Sequence, residues 1–190
     1  VRIQQDGWLG APAMRAARAA LAYAADPSDC HAALTWLTLG PPKVALEDVL
    51  RNAADGVLDT HQALETLRFL NPEIEALPIA DAIATVIRAT GLRDWAVRLR
   101  SPAQALADLA RFEAEAQEFD RMVPGLRAAA GYHGNSLQVF LGWIAGQTEK
   151  DWDRHPNPDA WSGTGIEVCT WHAAKGREWP ITVVAGLDQK

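Results

Sequence analysis

The residues best suited to chemistry lie together in the stretch Val168-Cys169-Thr170-Trp171-His172-Ala173-Ala174-Lys175-Gly176-Arg177-Glu178-Trp179-Pro180. Thr170 offers a hydroxyl, His172 an imidazole and Lys175 a cation. Gly176 permits close backbone approach or a positive φ. Glu178 supplies an acceptor of the kind that holds sugar hydroxyls, and Pro180 opens the segment that follows. A metal centre is disfavoured, because His172 has only Cys169 nearby and no second cluster of ligands exists. Cys169 is expected to point into a sheet, which disfavours a nucleophile. No nucleophile–base pair can be named, so a stand-alone hydrolase is excluded.

Two short β-branched runs flank this stretch, Ile166 to Thr170 and Ile181 to Ala185. Both read as buried strands, the second as continuously apolar as a strand of a parallel sheet. Ligands of open α/β sheets sit at strand ends, so Thr170 and His172 stand where a site is expected. Val1 to Gln5 alternates as a further short strand, broken by Asp6-Gly7.

Between these ends the chain reads as helical. Pro12 to Ala25 is alanine-rich, with Pro12 in its first turn. Asp26-Pro27-Ser28-Asp29 reads as a second helix start, with Asp26 able to cap. That helix carries Ala33, Leu34 and Leu37 and stops at Gly40-Pro41-Pro42. Apolar faces follow at Leu46, Val49, Leu50 and Ala53, ended by Gly56, and at Leu64, Leu67 and Leu70, ended by Asn71-Pro72. Ile79, Ile83, Val86 and Ile87 run to Gly91, with a short piece at Trp95 to Leu99. Ser101-Pro102-Ala103-Gln104 fits a capping box opening a helix to Met122. Gly131 to Ser136 reads as a loop, and Leu137, Phe140, Leu141 and Ile144 mark a last helix. Lys150 to Gly165 reads as a polar linker. Trp36, Trp95 and Trp143 are expected in the core. His31, His61, His133 and His155 are scattered and read as structural or exposed, and Glu113, Glu115 and Glu118 as a solvated helical face.

The 190 residues are 48% hydrophobic and 22% charged, which excludes wholesale disorder. The net charge of −6 and pI near 5.3 exclude blanket electrostatic binding to nucleic acid, so any such contact must be local. Cys30 and Cys169 form no CxxC pattern, so a reducing, cytoplasmic compartment is expected. No apolar run approaches the roughly 20 residues of a membrane span, and no membrane partner is expected. The chain does not begin with Met, and a piece of a longer protein is expected.

Thr170-Trp171-His172-Ala173-Ala174-Lys175-Gly176-Arg177-Glu178-Trp179-Pro180, followed by Ile181-Thr182-Val183-Val184, resembles motif V of the UvrD/Rep/RecB/AddA group of superfamily-one DNA helicases. The family pattern is roughly T-x-H-x-A/S-K-G-L-E-F/W/Y-P before an apolar strand. The resemblance implies that Thr170 and His172 contact single-stranded DNA. It implies that Gly176 lines the nucleotide site and that Glu178 holds the ribose of ATP, with ATP and Mg2+ required by the parent protein. Nuclease or repair subunits are possible partners. The implied fold is α/β overall but mostly α-helical: a partial RecA-like domain, 2A, interrupted by a helical insertion, 2B. By layout, residues 1–26 and 163–190 would belong to 2A and residues 27–162 to 2B.

Two departures stand out. Arg177 occupies a position usually apolar in the family. Gly40-Pro41-Pro42-Lys43 stands where some relatives place a Gly-x-Gly hairpin that touches duplex phosphates through backbone N–H groups, and proline has none. The chain also holds no GxxxxGK(S/T) phosphate loop and no acidic magnesium motif. The expectation is therefore part of an ATP-dependent helicase translocating 3′ to 5′, inactive alone. The alternative is a non-catalytic helical interaction module with a degenerate motif.

Overall fold

The computed structural model describes residues 2–3, 7–149, 167–168 and 181–184. The chain divides into two compact units, one of Asp6–Ser162 and one of Val1–Gln5 with Gly163–Lys190. The described residues are mostly α-helical.

The helical unit is built on α1, Pro12–Ala25. Alanine has the highest helix propensity, and its small side chain lets neighbouring helices approach closely. Ten of the fourteen residues of α1 are buried, including Ala16, Ala17, Ala20, Leu21 and Tyr23. A helix apolar on nearly all sides belongs inside a domain. Here α1 packs against α2 (Cys30–Leu39), α4 (Gln62–Glu75), α5 (Ile79–Ala89), α7 (Pro102–Arg121) and α9 (Leu137–Glu149). The boundary between compact units falls before Asp6, not at residue 26. From Asp6 to residue 26 the chain forms the centre of the helical unit.

The C-terminal carbonyls of α1 are satisfied from a distance. Asn71 Nδ2 donates to Ala24 O at 2.7 Å, and Gln138 Nε2 donates to Ala25 O at 3.0 Å. Asn71-Pro72 was expected to end a helix; instead α4 runs through it to Glu75. Proline at position 72 removes one intrahelical bond, while the asparagine beside it caps another helix.

Aromatic packing closes the other side. Phe112 and Phe119 of α7 meet Phe140 and Trp143 of α9, with ring centroids 5.4 to 5.9 Å apart. Trp36, Trp95 and Trp143 are all buried, as expected for core positions.

Helix starts differ in detail from expectation. Asp29, not Asp26, caps α2 by accepting from Ala32 N at 2.9 Å. Asp26 instead closes the preceding turn, accepting from the backbone N–H and hydroxyl of Ser28. Ser101 makes no side-chain cap for α7, and Gln104 donates to the buried Asp108 in place of completing a capping box. Pro78 cannot cap α5 with a side chain, so Asp120 of α7 accepts from Ile79 N at 3.4 Å and Ala80 N at 3.1 Å. The short α6 spans Leu92–Ala96, and α8, Pro124–Ala129, was not expected. Helix α3 (Leu46–Ala54) buries only Val49.

In the other unit, β1 (Arg2–Ile3) pairs in parallel with β2 (Glu167–Val168), Arg2 opposite Glu167 and Ile3 opposite Val168. Parallel strands need a crossover connection, and here the chain between them contains the helical unit. The expectation of a buried strand at Ile181 to Ala185 is not met over its described part. Residues 181–184 join no ladder, and Ile181 and Val183 are 84% and 87% exposed. An apolar strand is buried only when neighbouring strands and a covering layer flank it. Among the described residues this unit contains one two-stranded pairing. The mostly α-helical expectation is met, while the described residues give no support to the RecA-like α/β part.

Candidate functional site

Thr170, His172, Gly176 and Glu178 lie outside the described residues, as do Lys175, Arg177 and Cys169. What is described nearest to them is β2, Glu167–Val168, which precedes Thr170 by two residues in the sequence and runs parallel to β1. The linker at Lys150 to Gly165 and His155 also lie outside the described residues.

Within the helical unit, polar chemistry gathers at two places. The first surrounds Arg127 of α8, which is buried. Its guanidinium carbon lies 4.8 Å from the centre of the Phe119 ring, a cation–π arrangement. Nη1 donates to Phe119 O at 3.5 Å and to Asn135 Oδ1, while Nε has no hydrogen-bond partner. Asn135 in turn donates to Asp120 Oδ1 at 3.5 Å, joining Arg127 to the carboxylate that caps α5. These contacts fix the loop at Gly131 to Ser136, where Gly131 and Gly134 take positive φ values of 89° and 96°. Pro124, at the first position of α8, is a sequence signal that could have marked this short helix. The cluster holds a cation and amides without a nucleophile, so its role is to hold α7, α8 and the loop together.

The second is an open cleft of about 370 Å³ lined by Ala84, Ile87, Arg88, Arg93, Asp94 and Glu113. Arg93 pairs with Glu113 at 2.6 Å. The cleft carries both signs of charge, and its closest ion pair is satisfied internally. Glu115 is half-buried beside Arg111 at 3.5 Å, and Arg111 stacks over Trp8 at 4.4 Å. Burial pushes the Glu115 carboxyl above the usual glutamate range, with Arg111 opposing it. Glu113 and Glu115 are therefore ion-paired positions rather than a solvated face, while Glu118 is exposed.

His61 accepts from Ala63 N through Nδ1 at 3.2 Å and so caps α4, a structural role. His31 and His133 are exposed. Among the described residues no three His, Cys, Asp or Glu side chains converge to hold a metal ion. No described helix is long and apolar enough to cross a membrane.

The turn at Gly40-Pro41-Pro42-Lys43 has its backbone donors engaged internally. Gly40 N donates to Trp36 O at 3.0 Å, Lys43 N to Gly40 O at 3.2 Å and Val44 N to Leu37 O at 2.8 Å. With Pro41 and Pro42 lacking N–H groups, the turn offers a phosphate no backbone donor. Lys43 is exposed and holds a left-handed φ of 48°.

No protein family, no curated protein and no solved structure matches this chain.

Proposed function

We propose that the chain is part of an ATP-dependent DNA helicase of the UvrD/RecB type, in which residues 170–178 couple a DNA strand to a nucleotide. Thr170 and His172 take the DNA strand. Gly176 lines the nucleotide site, and the Glu178 carboxylate accepts from the ribose hydroxyls of ATP. The terminal unit is the RecA-like α/β part, and the helical unit is its insertion. The parent protein moves 3′ to 5′ along single-stranded DNA.

The observation that carries this reading is the order of events at β2. A parallel strand, paired with the other end of the chain across a helical insertion, leads within two residues into the Thr170–Pro180 stretch. A hydroxyl, an imidazole, a glycine and a carboxylate then follow in the sequence. The acidic overall charge is compatible with a local site of this kind and not with general nucleic-acid affinity. These residues include no phosphate loop, so ATP hydrolysis belongs to the parent protein. The residues that bind Mg2+ there belong to it as well.

The test is Glu178→Ala in the full-length protein, followed as DNA-stimulated ATP hydrolysis. The ATP concentration for half-maximal rate rises about tenfold, the cost of one lost hydrogen bond to a charged acceptor, while DNA affinity without nucleotide is unchanged. An unaltered ATP requirement overturns the assignment.

One observation favours a second reading, a non-catalytic helical interaction module. The Gly40–Lys43 turn has no backbone N–H to offer a duplex phosphate. Lack of DNA-stimulated ATP hydrolysis by the full-length protein would select that reading.

A further inference from the structure

We propose that Asn135 is a site of spontaneous modification, where the side-chain amide is lost and a carboxylate appears beside the buried Arg127. The inference stands on the helical unit alone and is independent of the motor reading.

The chain has four asparagines, Asn52, Asn71, Asn135 and Asn157. An asparagine loses its amide when the backbone nitrogen of the next residue attacks its side-chain carbonyl carbon. Pro72 and Pro158 follow Asn71 and Asn157 and carry no N–H. Asn52 lies inside α3, where the following N–H is held by the helix ladder. Asn135 differs on each count. It is exposed in the loop before α9, after Gly134 with its positive φ of 96°. The next residue is the small Ser136, whose backbone N–H donates to no described group.

The surroundings of the amide favour the reaction. Arg127 Nη1 donates to Asn135 Oδ1 and so stabilises the negative charge that the oxygen gains when its carbon is attacked. The step forms a bond from Ser136 N to Asn135 Cγ and breaks the Cγ–Nδ2 bond. Nδ2 departs as ammonia with the proton from Ser136 N, and water then opens the cyclic imide to aspartate or isoaspartate. The product also meets a need of the fold. Arg127 is buried, yet among the described residues its hydrogen bonds reach only Phe119 O and Asn135 Oδ1, both uncharged. A buried cation without a direct counter-ion is costly. A carboxylate at position 135 pairs with Arg127 directly. The opposing charge is Asp120, whose Oδ1 lies 3.5 Å from the departing nitrogen.

The experiment keeps the full chain in warm, mildly alkaline buffer for weeks and maps its peptides by mass spectrometry. The mass gain of amide-to-acid conversion is expected at Asn135 and not at Asn52, with isoaspartate detected at position 135. Ser136→Thr keeps a hydroxyl where Ser136 Oγ accepts from Val139 N at 3.3 Å, but it crowds the attacking nitrogen and slows the gain severalfold. Asn135→Asp, made directly, supplies the aspartate product. Its thermal midpoint relative to the unmodified chain rises as the pH increases from about 3 to about 6, because the ionising carboxylate pairs with Arg127. The proposal is overturned if Asn135 keeps its amide, if Asn52 reacts as fast, or if Ser136→Thr leaves the rate unchanged. It is also overturned if the relative midpoint of Asn135→Asp does not rise over that pH range, because repulsion from Asp120 then outweighs the pairing.

Discussion

The helical unit and the terminal unit solve the burial problem in different ways. In the helical unit each element finds its cover nearby: α1 is surrounded by helices, and Asn71, Gln138 and Asp120 complete helix ends on other elements. In the terminal unit two short strands pair, while Ile181 and Val183 are left to solvent. Helices satisfy their backbone within themselves and need only a face covered, whereas strands need neighbours for every backbone group. The residues with the best claim to chemistry belong to the unit whose elements depend most on neighbours. Asn135 and its buried arginine belong to the self-sufficient one.

This contrast can be broken at its strongest point first. Phe140 contacts Phe112, Phe119 and Trp143. Phe140→Ala should lower the stability of the helical unit by about 4 kcal/mol, read as a lower midpoint in thermal unfolding followed by circular dichroism. Gly40→Ala comes next. A Cβ there would lie 2.6 Å from the Trp36 carbonyl oxygen and 2.7 Å from its ring. With backbone as the obstacle, a loss of about 2 kcal/mol is expected in chemical denaturation.

Glu115→Gln should act in the opposite direction and more weakly. Burial raises the folded-state pKa of Glu115, so folding favours its protonated form. The charged form opposes folding once the pH exceeds the unfolded value of 4.5. The glutamine variant should therefore be slightly more stable at neutral pH, and the advantage should vanish as the pH falls below that value. Denaturation curves at pH 7 and pH 4 check the sign. Val183→Ser removes an apolar group already in solvent. It should leave the helical transition where it is, within about 0.5 kcal/mol; a shift of the size seen for Phe140→Ala would erase the distinction between the units.

The same contrast explains what the sequence revealed. The periodic leucines and isoleucines of α4 and α5, and the proline-led start of α7, were legible because helix formation is local. The centrality of α1 was not. An alanine-rich run next to a short strand reads as its continuation, and only the burial of nearly every side shows it to be the hub. Asn71-Pro72 reads as a stop because the partner of Asn71, the end of α1, is 46 to 47 residues away. Helix α8 has too few residues to show a period, and the network of Arg127 with Asn135 and Asp120 follows from its placement. At the candidate site the order of Thr170, His172, Gly176 and Glu178 is written in the sequence, but their mutual geometry depends on partners brought together by the sheet.

The pairing of β1 with β2 has a consequence for the order in which the molecule assembles. Ile3 meets Val168 only after the intervening chain has brought its two ends together. Closing so long an unfolded loop costs entropy before the few ladder bonds repay it. Packing of the helices compacts much of the intervening chain and so lowers the entropy still to be lost when the strands pair. The helical unit is therefore expected to fold before the strands pair, because its contacts do not depend on them. During synthesis β1 waits, unpaired, until β2 has emerged.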